Sequence, residues 1–231
     1  MKSSLTIIVP ALNEEENLED VIKKIIKYSH ENFNKTEILI YNDGSTDDTG
    51  KIADKLEKEN NMIKVVHHEL PLNLGYIFKD GLLRSHSDYI VMIHGQNDIR
   101  PHSLELLFTQ KEDIVIPYQV NTFERPLLRA LISKAFVKML NIIFGLNLKY
   151  YNHYILFKRE LITDLNGMTS SYAFQAEILI KILGDKKISF VEIPFVDDFS
   201  NKKKSDAFSV RNIVGVIKFF YRTICEIYFK K

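Results

Sequence analysis

An acidic turn follows the first apolar run of the chain. The segment IIVPALNEEENL, residues 7–18, ends its apolar run at Pro10 and then presents Asn13 and Glu14. One interpretation is a strand, a turn and a helix whose first-turn carboxylates suit the positive end of the helix dipole. The other is a ligand-binding turn, in which Asn13 and Glu14 offer oxygen atoms to a polar substrate. By itself, the segment favours the first interpretation.

A second polar turn lies in LIYNDGSTDDT, residues 39–49, and contains a carboxylate without an evident structural task. Ser45 and Thr46 are predicted to cap the following helix, and Gly44 permits the tight turn before it. Neither task requires Asp43, which together with Asn42 terminates the predicted strand. We therefore predict that Asp43 accepts hydrogen bonds from a nucleobase or a ribose.

A third segment, LNLGYIFKDGL at residues 72–82, places a cation between two glycines. Lys79 stands between Gly75 and Gly81 at a predicted helix start. Glycine lets a ligand approach the backbone closely, although a glycine at a turn is equally ordinary. If a phosphorylated ligand binds here, Lys79 can supply positive charge.

These segments alternate with apolar runs that indicate a layered α/β protein. The predicted strands span 5–9, 37–41, 63–67, 89–93, 113–116 and 188–193. The predicted helices span roughly 14–26, 45–60, 76–85, 103–110, 125–146, 171–184 and 210–228. Near-continuous apolar strands between helices favour a parallel, doubly wound sheet, in which ligands bind beyond the carboxyl ends of the strands. The loops after residues 9, 41 and 93 are therefore expected to form the site.

The order and spacing of these motifs resemble the family 2 glycosyltransferases, and most of all their polyprenyl-phosphate (dolichyl-phosphate) sugar synthase branch. The resemblance covers roughly residues 5–195. It implies an α/β fold of GT-A type: a Rossmann-like nucleotide-sugar-binding domain with a mostly parallel central sheet and C-terminal helices. It also implies a nucleotide site made of Pro10, Leu12, Asn13, Glu14, Asp43, Gly75 and Lys79.

The resemblance extends to SYAFQAEILIKIL, residues 171–183. Family members carry a similar aromatic–Gln–x–Glu run at a helix beside the sugar and the acceptor, which marks Phe174, Gln175 and Glu177 here. Helical spacing puts an apolar stripe on the same helix, and we expect Glu177 to lie off that stripe. If the acceptor is a sugar hydroxyl, Glu177 is the expected general base.

The loop after the fourth strand departs from the family pattern. Relatives usually carry Asp-x-Asp there to hold a divalent cation, whereas this chain has His94 and Gln96 in those two places, with Asp98 two residues later. Mg²⁺ and Mn²⁺ prefer hard oxygen ligands, so the amide lowers the charge of the site. His94, Gln96 and Asp98 are still predicted as ligands of Mg²⁺ or Mn²⁺, and Asp98 also as a catalytic residue.

The C-terminal segment is basic and amphipathic. Lys202 lies in NKKKS, which is either solvated surface or a source of charge for a diphosphate or a lipid phosphate. Apolar residues of the helix predicted at 210–228 form one broad face with Arg and Lys around it. Such a helix can lie in a membrane interface, with the basic helix at 125–146 beside it, or it can pack on the domain or on a second copy.

Composition is that of an ordinary globular protein of 231 residues. The 31 Lys and Arg nearly balance the 30 Asp and Glu, which gives no indication of nucleic-acid binding. The one cysteine, Cys225, excludes an internal disulfide and fits a reducing compartment. The apolar start of the chain is too short for a signal peptide, and no stretch reaches the roughly 18 apolar residues of a membrane span. We expect a cytoplasmic protein, peripheral at the inner face of a membrane if the basic helices bind lipid.

We interpret the chain as one glycosyltransferase domain. Residues 1–117 form the nucleotide-binding half, 118–196 the acceptor and sugar half, and 197–231 the basic linker and amphipathic helix. The expected reaction moves a sugar from a UDP- or GDP-type donor to a lipid phosphate, with inversion; a homodimer is left open. The alternatives are a saccharide or protein acceptor, and a weakly active nucleotide-sugar-binding relative. A dehydrogenase or a nucleotidyltransferase would require a glycine-rich loop after the first strand, where this chain has PALNEEEN.

Overall fold

The structure is a computed structural model, and it describes most of the chain up to residue 198 together with pieces of the C-terminal segment. The described residues are 3–121, 127–163, 169, 171, 173–184, 188–198, 214–215, 218 and 220–225. The strands are β1 (Ser4–Ala11), β2 (Lys35–Asp43), β3 (Ile63–His68), β4 (Tyr89–Met92), β5 (Ile114–Gln119), β6 (Leu156–Lys158) and β7 (Phe190–Phe195). The helices are α1 (Leu18–Asn32), α2 (Thr49–Glu59), α3 (Leu74–Arg84), α4 (Pro101–Thr109), α5 (Leu127–Phe144) and α6 (Phe174–Leu183).

The described strands form a single sheet in the order β3-β2-β1-β4-β6-β5-β7. Pairing is parallel throughout except at β6, which runs antiparallel to both β4 and β5. Six strands therefore point the same way, and their carboxyl ends lie along one edge. The expected α/β fold with a mostly parallel sheet is confirmed, whereas β6 was not predicted.

The sheet is buried on both faces because its central strands carry apolar side chains on both faces, with the polar Thr6 of β1 also fully buried. Ile7 and Val9 of β1 belong to the core under α1, α2 and α4, while Ile8 belongs to the core under α3, α5 and α6. Helix α3 approaches β1 so closely that a Cβ on Gly81 would clash with Ile8 Cδ1. Gly81 is therefore a packing glycine, which accounts for one of the two glycines around Lys79.

Helix α2 begins later than predicted. Its first residue is Thr49 rather than a residue following a cap at Ser45 or Thr46. The local cause is Asp47, whose Oδ1 accepts hydrogen bonds from the Thr49 backbone N–H at 3.0 Å and from the Thr49 hydroxyl at 2.5 Å. The capping prediction was wrong, and Ser45 and Thr46 are available for another task.

Helix α5 keeps large apolar side chains in contact with solvent. Leu128 is 70% exposed and Ile142 is 72% exposed, at opposite ends of the helix. Other exposed apolar side chains between them are Leu131, Ile132 and Met139. No helix in the described parts of the chain is long and apolar enough to cross a membrane.

The described residues of the C-terminal segment pack partly on the domain. The Phe220 ring meets the Phe136 ring of α5 edge-on, with their centroids 6.0 Å apart, and Thr223 is buried. Tyr221 and Val214 are exposed. Most of the helix predicted at 210–228 lies outside the described residues, so its contact with a membrane stays a prediction.

Candidate active site

The loops that follow β1 and β2 hold each other by hydrogen bonds. The Asn13 side-chain oxygen accepts a hydrogen bond from the Thr46 backbone N–H at 2.8 Å, and the Asn13 N–H donates to the Ser45 hydroxyl at 3.0 Å. The Glu14 N–H donates to the Thr49 hydroxyl at 2.7 Å. Asn13 has a φ of 55°, a left-handed conformation that asparagine tolerates better than most residues. We call these hydrogen bonds between Asn13–Glu14 and Ser45–Thr49 the clasp. The clasp fixes the loops at the carboxyl ends of β1 and β2.

Asp43 is the buried carboxylate of this edge. Its Oδ1 accepts hydrogen bonds from the Leu72 N–H at 2.9 Å and from His68 Nδ1 at 2.8 Å. Gly44, with a φ of 77°, brings this turn against Pro71, where an added Cβ would lie 2.8 Å from the proline ring. No donor in the described part of the chain pairs with Asp43 Oδ2. That oxygen therefore retains the capacity to accept a hydrogen bond from a ligand.

The other predicted nucleotide residues lie around the same edge. Pro10 is buried in β1, and its carbonyl accepts a hydrogen bond from the Gly95 N–H at 2.9 Å, which ties β1 to the loop after β4. Leu12 is 41% exposed at the end of β1. Gly75 is buried in the first turn of α3, and Lys79 lies half-buried one turn later. Their contact with a nucleotide stays a prediction.

In the loop after β4, two side chains bind the carboxylate of Asp98 and so close the loop: one from the loop itself and one from the segment before β6. Gln96 Nε2 donates to Asp98 Oδ2 at 2.5 Å, and the Tyr154 hydroxyl donates to Asp98 Oδ1. Burial, reinforced by the Asp98 carboxylate, raises the pKa of Tyr154 well above its ordinary value, so the hydroxyl stays protonated and donates. The ring of His94 meets that of Tyr154 edge-on, with centroids 5.3 Å apart. Both oxygens of the buried Asp98 are thus engaged within the protein.

This arrangement does not fit a divalent cation. A metal site in proteins gathers several oxygen or nitrogen ligands, and the described residues contain no group of three or more His, Cys, Asp or Glu side chains that could do so. Gln96 presents its amide N–H₂, rather than its oxygen, to Asp98. The metal prediction for His94, Gln96 and Asp98 gains no support from the geometry and stays a prediction.

Replacing Gln96 by aspartate is expected to create cation dependence. In Gln96→Asp a carboxylate faces Asp98, so like charges repel until a cation binds between them. We expect a lower melting temperature in chelator than for the wild type, and a larger increase on adding Mn²⁺. Gln96→Asn is the matched control, because it keeps an amide on the shorter side chain. Equal Mn²⁺ responses of the two variants would show that the loop serves another purpose.

A buried polar network beside this loop was not predicted from the sequence. The Asp197 carboxylate accepts a hydrogen bond from Gln119 Nε2 at 2.7 Å and lies 3.1 Å from His153 Nε2. His153 Nδ1 accepts the Tyr154 backbone N–H at 2.9 Å, so the ring proton is on Nε2, which donates to Asp197. Asn121 donates to the Asp197 carbonyl at 2.9 Å. The available signal was the acidic pair that follows the strand ending in EIPF, at the ligand edge.

Gln175 and Glu177 are placed by α6 in the interior. Gln175 Nε2 donates to the carbonyl of His153. Glu177 is 0% exposed, so the expectation that it lies off the buried stripe was wrong: α6 is buried nearly all round. Its Oε2 accepts hydrogen bonds from Arg222 at 2.5 Å and from the Thr169 N–H at 2.9 Å.

The other Glu177 oxygen, Oε1, lies 3.1 Å from Lys181 Nζ. It has no aligned hydrogen bond within the described residues, so this contact is an ion pair without hydrogen-bond geometry. Glu177 is thus held between two cations, and its role as a general base stays a prediction. Lys202, the remaining predicted site residue, lies outside the described residues.

The sequence matches the model of the family described as glycosyl transferase family 2 over residues 6–165. The chain belongs to glycosyl transferase family 2. The match includes the clasp, Asp43 and the loop after β4, and it confirms the family suggested by the motifs. It does not distinguish the polyprenyl-phosphate sugar synthase branch from other members of family 2.

Two bacterial relatives match part of this family 2 chain. Glycosyltransferase GlyG of Streptococcus pneumoniae serotype 4 is 25% identical over 113 residues, which are 49% of this chain and 36% of GlyG. Poly-beta-1,6-N-acetyl-D-glucosamine synthase of Staphylococcus aureus is 30% identical over 91 residues, which are 38% of this chain and 21% of the synthase. The matched stretches thus cover about a third of the length of GlyG and about a fifth of the length of the synthase.

Solved structures share the fold over nearly the whole chain. Glucosyl-3-phosphoglycerate synthase from Mycobacterium tuberculosis in complex with uridine diphosphate has a TM-score of 0.70, with 20% identity, covering 95% of this chain and 80% of that one. The same enzyme in complex with Mg²⁺ and uridine diphosphate has a TM-score of 0.68, covering 94% and 79%. At this identity the likeness shows the fold, and it agrees with the expected GT-A architecture.

Proposed function

We propose that this chain is a glycosyltransferase that takes its sugar from a nucleoside diphosphate sugar of UDP or GDP type. The observation that carries the proposal is Asp43, a buried carboxylate at the carboxyl edge of the sheet with one oxygen held by the protein and one left to accept. Ligands of open α/β sheets bind at this edge. Membership of family 2 and the UDP complexes of the structural neighbour support the same donor class.

The proposed acceptor is a phosphate on a lipid carrier, and the sugar is transferred by direct displacement with inversion. A phosphate is already anionic at neutral pH, so it attacks the anomeric carbon without a strong general base. This suits a chain in which Glu177 is buried between cations. The exposed apolar side chains of α5 lie beside Lys134 and Lys138, a combination suited to a lipid with an anionic head. Peripheral contact with the inner face of a membrane is part of this proposal.

Departure of the nucleoside diphosphate requires positive charge near its phosphates. Lys79 on α3 and Lys202 are the side chains we propose for this task. A divalent cation would supply the same kind of charge, and structural neighbours are complexes with Mn²⁺ and uridine diphosphate. Because the loop after β4 is closed by Gln96 and Tyr154, we assign it no catalytic step that uses a metal.

A saccharide acceptor is the second candidate. It is favoured by the partial match to poly-beta-1,6-N-acetyl-D-glucosamine synthase, whose name indicates a polysaccharide product. A hydroxyl acceptor requires a base, and Glu177 would have to leave its ion pairs to act as one.

A weakly active nucleotide-sugar-binding protein is the third candidate. It is favoured by the loop after β4, where Gln96 and Tyr154 occupy both carboxylate oxygens of Asp98.

Selective stabilisation by nucleotides tests the donor proposal. At a free concentration of one hundred times Kd, a ligand adds about 2.7 kcal/mol to the free energy of unfolding. For a chain of this size that corresponds to an increase in melting temperature of roughly 5–10 °C. We expect this shift with UDP or GDP, and not with ADP at the same concentration. If none of the three nucleotides shifts the melting temperature, with or without Mn²⁺, the donor class is wrong.

A further inference from the structure

A cleft of about 660 Å³ lies between α5 and the carboxyl end of β5, apart from the clasp and Asp43. That volume is within the usual range of small-molecule binding sites, roughly 300–1,000 Å³. Its charged lining residues are all lysines: Lys134 and Lys138 on α5, and Lys149 on the segment before β6. Tyr118 and Gln119, at the end of β5, form the opposite wall.

The three ammonium groups form a positive cluster without paired carboxylates. Within the described residues none of them is in an ion pair, and the sequence of α5 contains no Asp or Glu. Lys149 Nζ lies 4.0 Å from the centroid of the Tyr118 ring, so the ring holds this cation at the cleft. The Glu192 carboxylate accepts a hydrogen bond from the backbone N–H of Lys149 at 2.6 Å, and no contact between this carboxylate and the Lys149 ammonium group is recorded among the described residues. An anion with more than one charge would complete this cluster.

Gln119 adds a hydrogen-bond acceptor to the cleft, and a hydroxyl group of a ligand would suit it. The residue is 7% exposed, and its amide nitrogen is committed to Asp197 at 2.7 Å. Its side-chain oxygen is buried without a hydrogen-bond partner among the described groups. An unpaired buried acceptor costs free energy, which a donor on a bound molecule would recover.

The position of the cleft suits the acceptor rather than the nucleotide. Strand β5 points the same way as β1, so the cleft lies at the ligand edge of the sheet. In the strand order β5 is three places from β1, which is roughly 14 Å at the usual strand spacing. A nucleotide bound at the ends of β1 and β2 would therefore have space for its sugar between itself and this cleft. Asp197 joins the two regions, because it binds Gln119 at the cleft and His153 beside the loop after β4.

We propose that this cleft binds the phosphorylated head of the acceptor, with the phosphoryl group held by Lys134, Lys138 and Lys149. A hydroxyl of the same molecule would donate toward Gln119. Three cations match the two negative charges of a phosphomonoester better than they match a neutral saccharide. The inference rests on the proposed function, since it assigns a binding site to the phosphorylated acceptor of that reaction.

The test measures binding of phosphomonoesters to the full chain without any donor. Glycerol 3-phosphate is the soluble probe and glycerol its uncharged control, followed by NMR titration. Vesicles of phosphatidylcholine with phosphatidic acid are the lipid probe, and pure phosphatidylcholine vesicles are their control, followed by co-sedimentation. The variant Lys134→Gln/Lys138→Gln/Lys149→Gln removes the cluster. A matched control is Lys35→Gln/Lys58→Gln/Lys111→Gln, which removes the same charge from exposed lysines at the opposite edge of the sheet.

We expect the wild type and the matched control to bind a phosphomonoester, and the cleft variant to bind it at least about tenfold more weakly. Binding of both probes means that the phosphoryl group suffices. Binding of only the lipid or only the soluble ester identifies the source of the acceptor. Equal binding by the cleft variant, an equal loss in the matched control, or absence of binding by the wild type overturns the proposal. All three lysines are at the surface, so each single Lys→Gln variant is expected to fold. The increase in melting temperature with UDP or GDP should persist in every variant, which checks that the rest of the protein is intact. If the wild type itself shows no increase in melting temperature with UDP or GDP, the donor proposal is refuted instead.

Discussion

Replacing Arg222 by methionine is expected to lower the free energy of unfolding by about 1.5–3 kcal/mol, the usual contribution of a hydrogen bond to a charged group, because Arg222 is 31% exposed and Lys181 remains beside Glu177. Arg222 donates to Glu177 Oε2 at 2.5 Å, and Glu177 is 0% exposed. Without the guanidinium, the carboxylate is left with Lys181 and the Thr169 N–H as its recorded partners. Urea denaturation followed by circular dichroism measures the loss.

The double variant Glu177→Gln/Arg222→Met is the control for this prediction. It removes both charges together, so it should be more stable than Arg222→Met alone. The same variant separates the two roles open to Glu177. If the carboxylate only holds α6 to the C-terminal segment, the double variant keeps sugar transfer once it is folded. Loss of transfer in a folded double variant would support Glu177 as the base and a hydroxyl acceptor. A negligible change in stability for Arg222→Met would contradict the burial argument.

Asp43→Ala is expected to weaken nucleotide binding by about 1–3 kcal/mol, the range for a lost hydrogen bond to a charged group. The same substitution removes the acceptor of the Leu72 N–H, so the turn beside Gly44 should also loosen. Isothermal titration calorimetry with UDP and with GDP measures the affinity. Unchanged affinity in a folded variant would rule out the nucleotide role of Asp43.

Two further variants separate the ligand contact from the turn. Asp43→Asn keeps an oxygen for the Leu72 N–H and replaces the outer oxygen by a donor, so binding should fall while stability is largely retained. His68→Ala removes the other partner of Asp43 but leaves the carboxylate in place. We expect it to reduce nucleotide affinity less than Asp43→Asn does. The reverse order would mean that Asp43 acts by supporting the loop.

The ligand edge could be predicted because each strand that builds it is a continuous apolar run. β1 and β2 are buried at nearly every position, so the polar residues that follow them had to lie at strand ends. Parallel pairing then brings those ends together, which explains why Asn13 and Asp43 were correctly placed at one edge. What the local pattern could not show is that Ser45 and Thr46 bind the neighbouring loop across 32 and 33 residues instead of capping α2.

Features that depend on distant partners were beyond sequence reasoning. Strand β6 has only three residues, which are too few to show an alternating pattern, and it is defined by its pairing with β4 and β5. Helical spacing predicted that Glu177 lies off the buried stripe, but Glu177 is buried and paired with Arg222, 45 residues later. The network around Asp197 joins segments separated by 44 and 78 residues, and each of its members looks ordinary in isolation.

The sheet contains a boundary that matters for building chimaeras. Residues up to the end of β4 build β3, β2, β1 and β4, and residues from Ile114 onward build β6, β5 and β7. In the described sheet these two blocks are joined only where β4 meets β6, at the pairs Tyr89–Lys158 and Ile90–Phe157. Grafting the later block of another member onto the earlier block of this one therefore disturbs a short line of strand pairing, together with the apolar cores to which both blocks contribute. Asp43 and the loops after β1 and β2 all lie in the earlier block, so the proposed nucleotide site is carried over whole in such an exchange.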